Sequence, residues 1–504
     1  MKRQHTSWIG MCALGTVLVV TAGCGVADDL LNVGNPTQIP IADVSNIALL
    51  EVRVNGVIDE FQGAYDDPVI EFGAYMTDEI ISGLNWEGHA RTGQRIVSYL
   101  EGPTESIFES LAKAHITGKQ LADQIREWAA DDPDTWVPVG FTDAADFDED
   151  LATALVFAGY SLVVAGEMMC QSVISYDAQE PSSTVLEQMD IFDAAIPFLE
   201  DAETVALRAG EDDLANLARN GLARANLGRG NWALAASWGD LVPNGFEWWL
   251  EYIETSGGRN PLQNTSHGGN FTLGIHPKFM GSHPSFDGTG FTFKDNDVIA
   301  PQTDPRIQHA LRDRTGHNGL TPLYKLFQGL RYSEYTGETL APQSSSCPNC
   351  TGIDEDDFED FLLANRSTDI LLADYTEAQH HRNEGLAMLA GNEVAVLDFV
   401  NTRRAVGNQA AVVLSGQTLI TELRNQRARD LFMGGFRLGD LRRWTRFDAG
   451  NGPFDAGSYF PTGIHTNAQW GAYDIWTCYP IPLSEYIGNQ NLATPLNPDV
   501  PPGI

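Results

Sequence analysis

The chain is poor in positive charge: 31 Lys and Arg stand against 68 Asp and Glu over 504 residues, for a formal net charge of −37. Such a field repels phosphate backbones and anionic lipids, so nucleic acid is not an expected partner and a neutral or cationic ligand is easier to admit. Catalytic signatures are missing too. There is no G-x-S-x-G elbow and no H-E-x-x-H, and Gly118-Lys119 lacks both the earlier glycine and the Ser/Thr of a P-loop. His380 and His381 are adjacent, so they leave a helix on different sides and make a poor metal pair. The acidic run 354–357 lacks the glycine that an EF-hand loop needs and reads as a solvated face. Paired carboxylates for glycoside hydrolysis acquire their spacing only in a fold. The expectation is a binding protein, not an enzyme, with no cofactor and no metal.

Cysteine is scarce, with six in all. Cys12 and Cys24 lie near the start, which leaves Cys170, Cys347, Cys350 and Cys478, an even set with three possible pairings. The Cys347-Pro-Asn-Cys350 spacing would suit a redox dithiol or half a zinc site, but no second C-x-x-C exists. Its Ser, Pro and Asn surroundings favour a surface loop closed by a local disulfide, and under that reading Cys170 is left to pair with Cys478.

Long apolar runs are confined to the start. Lys2 and Arg3 precede a mostly apolar stretch at 8–20, and Thr21-Ala-Gly-Cys24 follows, which has the shape of a secretory signal over 1–23 with lipoprotein processing at Cys24. Lys2 and Arg3 are the only charges before Cys24. Taking them from 31 leaves 29 basic against 68 acidic residues in a mature chain, a net charge of −39. No other segment is expected to cross a membrane, so the protein would be anchored to one through lipid without spanning it.

Helical periodicity is what the chain does have. Helices are expected near 43–61, 105–130, 147–169 and 184–208, and several look like hairpins. Ala215, Ala218, Leu222 and Ala225 form a small-residue face on a helix that stops at Gly228-Arg-Gly230, and Asn231 and Trp232 begin the return. The 375–390 stretch ends at Gly391-Asn392, and 394–404 turns back in the same way. These read as tetratricopeptide-like hairpins in a superhelix, each needing neighbours to bury its apolar face. The fold class is therefore mainly α, with a helical scaffold at about 36–241 and 371–504. Between them, 242–370 is rich in Gly, Asn, Ser, Thr, Pro and aromatics and lacks helical periodicity, so loops should dominate, with a helix allowed to start at Pro305.

Near the end, residues 424–444 carry six arginines: Arg424, Arg427, Arg429, Arg437, Arg442 and Arg443. This segment reads as a helix, a break at Gly434-Gly435 and a second short helix to Trp444. Its guanidinium groups should pair with carboxylates or with C-terminal helix carbonyls, and Arg437 and Asp440 are spaced to pair with each other. Further on, Tyr479-Pro-Ile-Pro482 leads into a short helix and the Asn-rich 489–492. Together with Leu30-Leu-Asn-Val-Gly-Asn35-Pro36 and Asp304-Pro305-Arg306, these motifs resemble the SusD/RagB family, although Gly434 stands where that family usually has a Glu, and a second customary acidic residue, near Gln426, is missing. The resemblance implies a lipid-anchored outer-membrane protein that captures an oligosaccharide or similar nutrient for a TonB-dependent SusC-like transporter. A helical-repeat scaffold that binds only proteins is the alternative.

A sugar presents apolar ring faces and outward hydroxyls, so its site needs flat aromatic platforms beside polar side chains. Met76-Thr-Asp78-Glu79 with Asn85-Trp86-Glu-Gly-His89 offers that mixture, and the family often contributes ligand contacts from this region, which puts Asp78 and Trp86 first, with Asn85 and His89 beside them. Trp248, Trp249, Tyr332, Tyr335 and Trp470 are further candidates.

Overall fold

The computed structural model describes residues 46–83, 86–131, 145–174, 184–254, 257–262, 273–279, 304–307, 309–315, 322–326, 331–333, 367–464 and 471–492. The expected signal, Cys24, the 30–36 opening, Cys347, Cys350 and the 354–357 run lie outside these residues. The chain divides into two compact units, 1–51 and 52–504. In the first, Ile47–Leu49 form a 3-10 turn whose cap, Asn46, accepts a hydrogen bond from the Ala48 N–H.

Helices follow one another in the order that the periodicity implies. They are α1 (Leu50–Ala64), α2 (Phe72–Tyr75), α3 (Glu87–Gly93), α4 (Gly102–Asp131), α5 (Ala145–Met168), α6 (Gln188–Ala209), α7 (Asp212–Arg229), α8 (Trp232–Leu241), α9 (Tyr375–Ala387), α10 (Glu393–Val406), α11 (Gly416–Asp430), α12 (Arg437–Phe447) and α13 (Leu483–Gly488). A π-helical stretch, Tyr65–Glu71, carries Pro68 between α1 and α2. Proline has no N–H to donate and its ring crowds the preceding turn, which favours such a widened helix.

The centre of the second unit is α5. By length and composition Phe147–Met168 is apolar enough to cross a membrane, which corrects the expectation that no such segment lies beyond the N-terminus; its apolar stretch, 151–168, is buried among its neighbours as a core helix. Helices α4 and α6 pack against its two sides, and α7 continues the layer. Ala215, Ala218, Leu222 and Ala225 are fully buried, as their spacing implies. Helix α6 ends at Gly210 and α7 at Gly230, both left-handed (φ 85° and 84°). The Glu211 N–H reaches Ala206 O at 2.9 Å and the Asn231 N–H reaches Asn226 O at 2.8 Å, so the two hairpin turns close with the same six-residue bond.

Strands are short and each sheet has two of them. β1 (Ile80–Ser82) pairs with β5 (Leu273–Ile275), β2 (Gln171–Val173) with β3 (Val185–Glu187), β4 (Glu247–Leu250) with β8 (Ile370–Asp374), and β6 (His309–Thr315) with β7 (Pro322–Leu326), all antiparallel. Helix α6 therefore starts later than expected, because 185–187 are spent in β3. Glu187 then caps the helix, with Asp190 closing a reciprocal capping box. Pro305 opens a turn at 304–307 and no helix begins there. Asp304 takes the Arg306 backbone N–H at 3.1 Å and its guanidinium at 2.6 Å, and that folds the chain back.

A disulfide joins Cys170, just after α5, to Cys478 near the C-terminus, with Cα atoms 5.0 Å apart. Backbone bonds run beside it: the Cys170 N–H donates to Tyr479 O (2.8 Å) and the Tyr479 N–H to Met168 O (2.9 Å).

Candidate ligand-binding site

The arginine-rich segment forms α11, a turn and α12, and its guanidinium groups face inward. Arg427 donates to Asp440 (2.8 Å); Arg443 donates to Asp440 (2.8 Å) and Glu384 (2.8 Å); and the Trp444 indole N–H donates to Glu384 (2.6 Å). Arg442 takes the other route and donates to Gly166 O and Glu167 O at the C-terminal end of α5 (3.1 and 2.6 Å), where the helix dipole is negative. Gln426 and Gly434 are also drawn into the network. Gln426 accepts from Arg306 (2.9 Å), and the Gly434 carbonyl accepts from the Tyr65 hydroxyl (2.7 Å).

Arg437 does not pair with Asp440 as its spacing suggested. It reaches instead across the fold to Asp78, gripping both carboxylate oxygens at 2.7 and 2.8 Å. Burial pushes the Asp78 carboxyl upward, but the Arg437 guanidinium prevails and holds it below the usual range. Asp78 is fully buried, so it sits behind the surface and not on it. Its neighbour Glu79 accepts the Met433 N–H at 2.9 Å and is pushed up to about 8 by burial.

Trp86 stands just ahead of α3 and is 54% exposed. Behind it lies a graded aromatic stack. The His89 ring meets the indole edge-on, with centroids 5.3 Å apart, and packs against Phe72 (5.0 Å) and Tyr75 (6.0 Å), both of which are buried. Burial lowers the His89 pKa, so its ring is neutral near pH 7; Glu71 approaches it at 3.7 Å. The π-helical stretch and α2 position Glu71, Phe72 and Tyr75, and α3 positions His89. An exposed indole braced from behind in this way can present one flat face to a sugar ring.

The other candidates lie elsewhere. Trp248 is half-buried on β4, opposite Ala373 of β8, with its ring edge against Phe157 of the core helix (6.4 Å). Trp249 is half-buried, and its indole N–H donates to Glu247 (3.1 Å). Tyr332 is buried, and its hydroxyl donates to Met433 O (2.7 Å). Tyr332 thus spends its hydroxyl inside the protein, while Trp249 bonds to an exposed neighbour on its own strand. Asn85, Tyr335 and Trp470 lie outside the described residues. His380 and His381 are buried and turn to different partners, Asp430 (2.7 Å) and Glu377 (3.0 Å). Among the described residues no three His, Cys, Asp or Glu gather as a metal site.

A concavity of about 510 Å³, away from Trp86, escaped the sequence reading. Helices α1 and α4 and the segments at 252 and 257–259 enclose it, and its lining is polar. Its one sequence signal is the spacing Ser106, Glu109, Ser110, Lys113, a polar stripe along α4 that resembles any solvated helix face.

No family model and no curated protein sequence matches the chain. Solved structures do match over nearly the whole of it. A SusD superfamily protein from Bacteroides vulgatus superposes with a TM-score of 0.61 at 12% identity, covering 90% of this chain and 98% of its own. A SusD-like carbohydrate binding protein from the same organism gives 0.59 at 13% identity, covering 88% and 97%. A SusD-like carbohydrate binding protein from Bacteroides fragilis gives 0.57 at 15% identity, covering 89% and 99%. The mainly helical architecture is thus that of solved SusD proteins, the family that the C-terminal motifs resemble. The chain has the SusD-like fold.

Proposed function

We propose that this protein is a non-enzymatic carbohydrate-capture protein of the outer membrane. The observation that carries the reading is the exposed Trp86 indole, braced by His89, Phe72 and Tyr75, on a fold shared with proteins described as carbohydrate-binding. One sugar face stacks on the indole while polar groups of the neighbouring loops take its hydroxyls. Asp78 acts at one remove, by fixing Arg437 behind the 76–79 turn. Signal cleavage and lipidation at Cys24 tether the chain to the membrane, and a TonB-dependent SusC-like barrel receives the oligosaccharide. With its large negative charge the protein admits neutral glycans more readily than anionic ones.

A glycan array probed with the Cys24→Ser chain, which keeps every other residue but cannot be lipidated, tests the capture step. The expected result is retention on at least one oligosaccharide class, lost in the Cys24→Ser, Trp86→Ala double variant. If no glycan is retained while a membrane β-barrel co-purifies with the wild-type protein, a scaffold that binds only proteins becomes the better reading.

A further inference from the structure

The concavity between α1 and α4 has no part in the capture surface at Trp86, and its construction suits a different ligand. Adjacent helices normally close on each other through apolar faces; here the apolar positions of α1, Val57, Phe61 and Ala64, are buried, while the α1 side of the groove carries Asp59, Glu60, Gln62 and, just beyond the helix, Asp66. Helix α4 answers with the stripe of Ser106, Glu109, Ser110 and Lys113, so two polar faces confront each other across open space. About 510 Å³ falls within the range of small-molecule sites. Four carboxylates line it against two cations, and one of those cations, Lys113, is already held by Glu60 at 2.7 Å. At the floor, Asp66 is 5% exposed and accepts the Tyr252 hydroxyl at 3.1 Å.

We propose that this groove binds a small amine-bearing polyhydroxyl compound, an amino sugar, with its ammonium against Asp66 and the hydroxyls of Ser106 and Ser110 meeting those of the ligand. Size, surplus of acceptors and hydroxyl lining together select an ammonium with hydroxyl neighbours over a neutral or anionic ligand. The state of Asp66 adds a signature. Burial pushes its carboxyl up to about 7, opposed by the bonds from the Asp67 N–H and Tyr252, while Asp67 and Asp59 push the same way as burial. Glu60, Glu109, Lys113 and Arg259 complete the charged groups around the groove. A bound ammonium favours the ionised carboxylate, so binding at pH 7 should expel a proton.

Calorimetry on the full-length chain in detergent, with glucosamine, glucose and N-acetylglucosamine as probes, tests this. Glucosamine should bind at least tenfold more tightly than either neutral sugar, with net proton release when buffers of different ionisation enthalpy are compared. Asp66→Asn should weaken it at least tenfold and abolish the proton release, while Trp86→Ala leaves it unchanged. Should Asp66→Asn fail to fold, Glu109→Gln on the exposed face of α4 should weaken glucosamine at least threefold. The proposal is overturned by glucosamine binding no better than glucose, by the absence of proton release, or by loss of binding in Trp86→Ala, which would move the site to the indole.

Discussion

The buried arginines decide more of this molecule than its surface charge does. Taking a guanidinium and a carboxylate out of water is costly, and each is tolerated because the other is present. Removing one partner leaves a buried charge uncompensated, so Arg437→Ala should destabilise the protein by about 3–5 kcal/mol. Arg208→Ala, which breaks a largely exposed pair with Asp148, should cost about 0–1 kcal/mol. Urea titration of the two variants checks the contrast. The carboxylates also divide by sign. Asp430 and Asp440 meet a cost from burial that His380, Arg403, Arg427 and Arg443 outweigh, so they are held below the usual range; the stability they add is present above their unfolded pKa and lost on acidification. Glu79 and Asp66 are raised, to about 8 and about 7, so the folded state holds protons that the unfolded chain has released, and stability falls as pH climbs from about 4.3 through those values. Melting temperature should therefore peak at mildly acidic pH, and Glu79→Gln should flatten the decline between pH 5 and 8. A wild-type optimum above pH 8 would contradict this. At this scale the sequence was only partly legible. Residue type pointed to inward arginine pairing, but Asp78 read as a surface ligand contact because its partner lies 359 residues away.

Elements were read more easily when their cause was local. The α6–α7 and α7–α8 turns follow from apolar spacing and one glycine each, which the chain displays directly. Strands β4 and β5 of the 242–370 section were missed because they pair with β8 and β1, far apart in sequence, and each is only three or four residues long. The two turn glycines offer a controlled comparison. Both are left-handed, but a Cβ on Gly230 would meet the Phe447 ring at 2.6 Å, whereas Gly210 has nothing within 4 Å. Gly210→Ala should cost about 1–2 kcal/mol for the backbone alone. Gly230→Ala should cost a further 1–3 kcal/mol or so from overpacking, and the difference is measurable by denaturant midpoints. Equal costs would mean that Phe447 moves aside freely.

For the molecule as a whole, the Cys170–Cys478 bridge ties the end of the core helix to the tail across 308 residues. A closed loop of that length restricts the unfolded chain strongly, so the Cys170→Ser, Cys478→Ser double variant should lose about 2–4 kcal/mol under oxidising conditions, and reductant should weaken the wild type alone. The family resemblance was legible in the C-terminal motifs because they build the buried α11–α12 network that the fold depends on. Where a ligand sits was legible only as residue type, since exposure separates Trp86 from Trp248 and Tyr332, and exposure is a property of the fold. The most direct test of carbohydrate capture is calorimetric titration of the wild-type and Trp86→Ala proteins with the oligosaccharide retained on the array. Capture by the indole predicts at least a tenfold weaker Kd in the variant, about 1.4 kcal/mol, with an unchanged melting temperature. Equal affinity in the two proteins would contradict it.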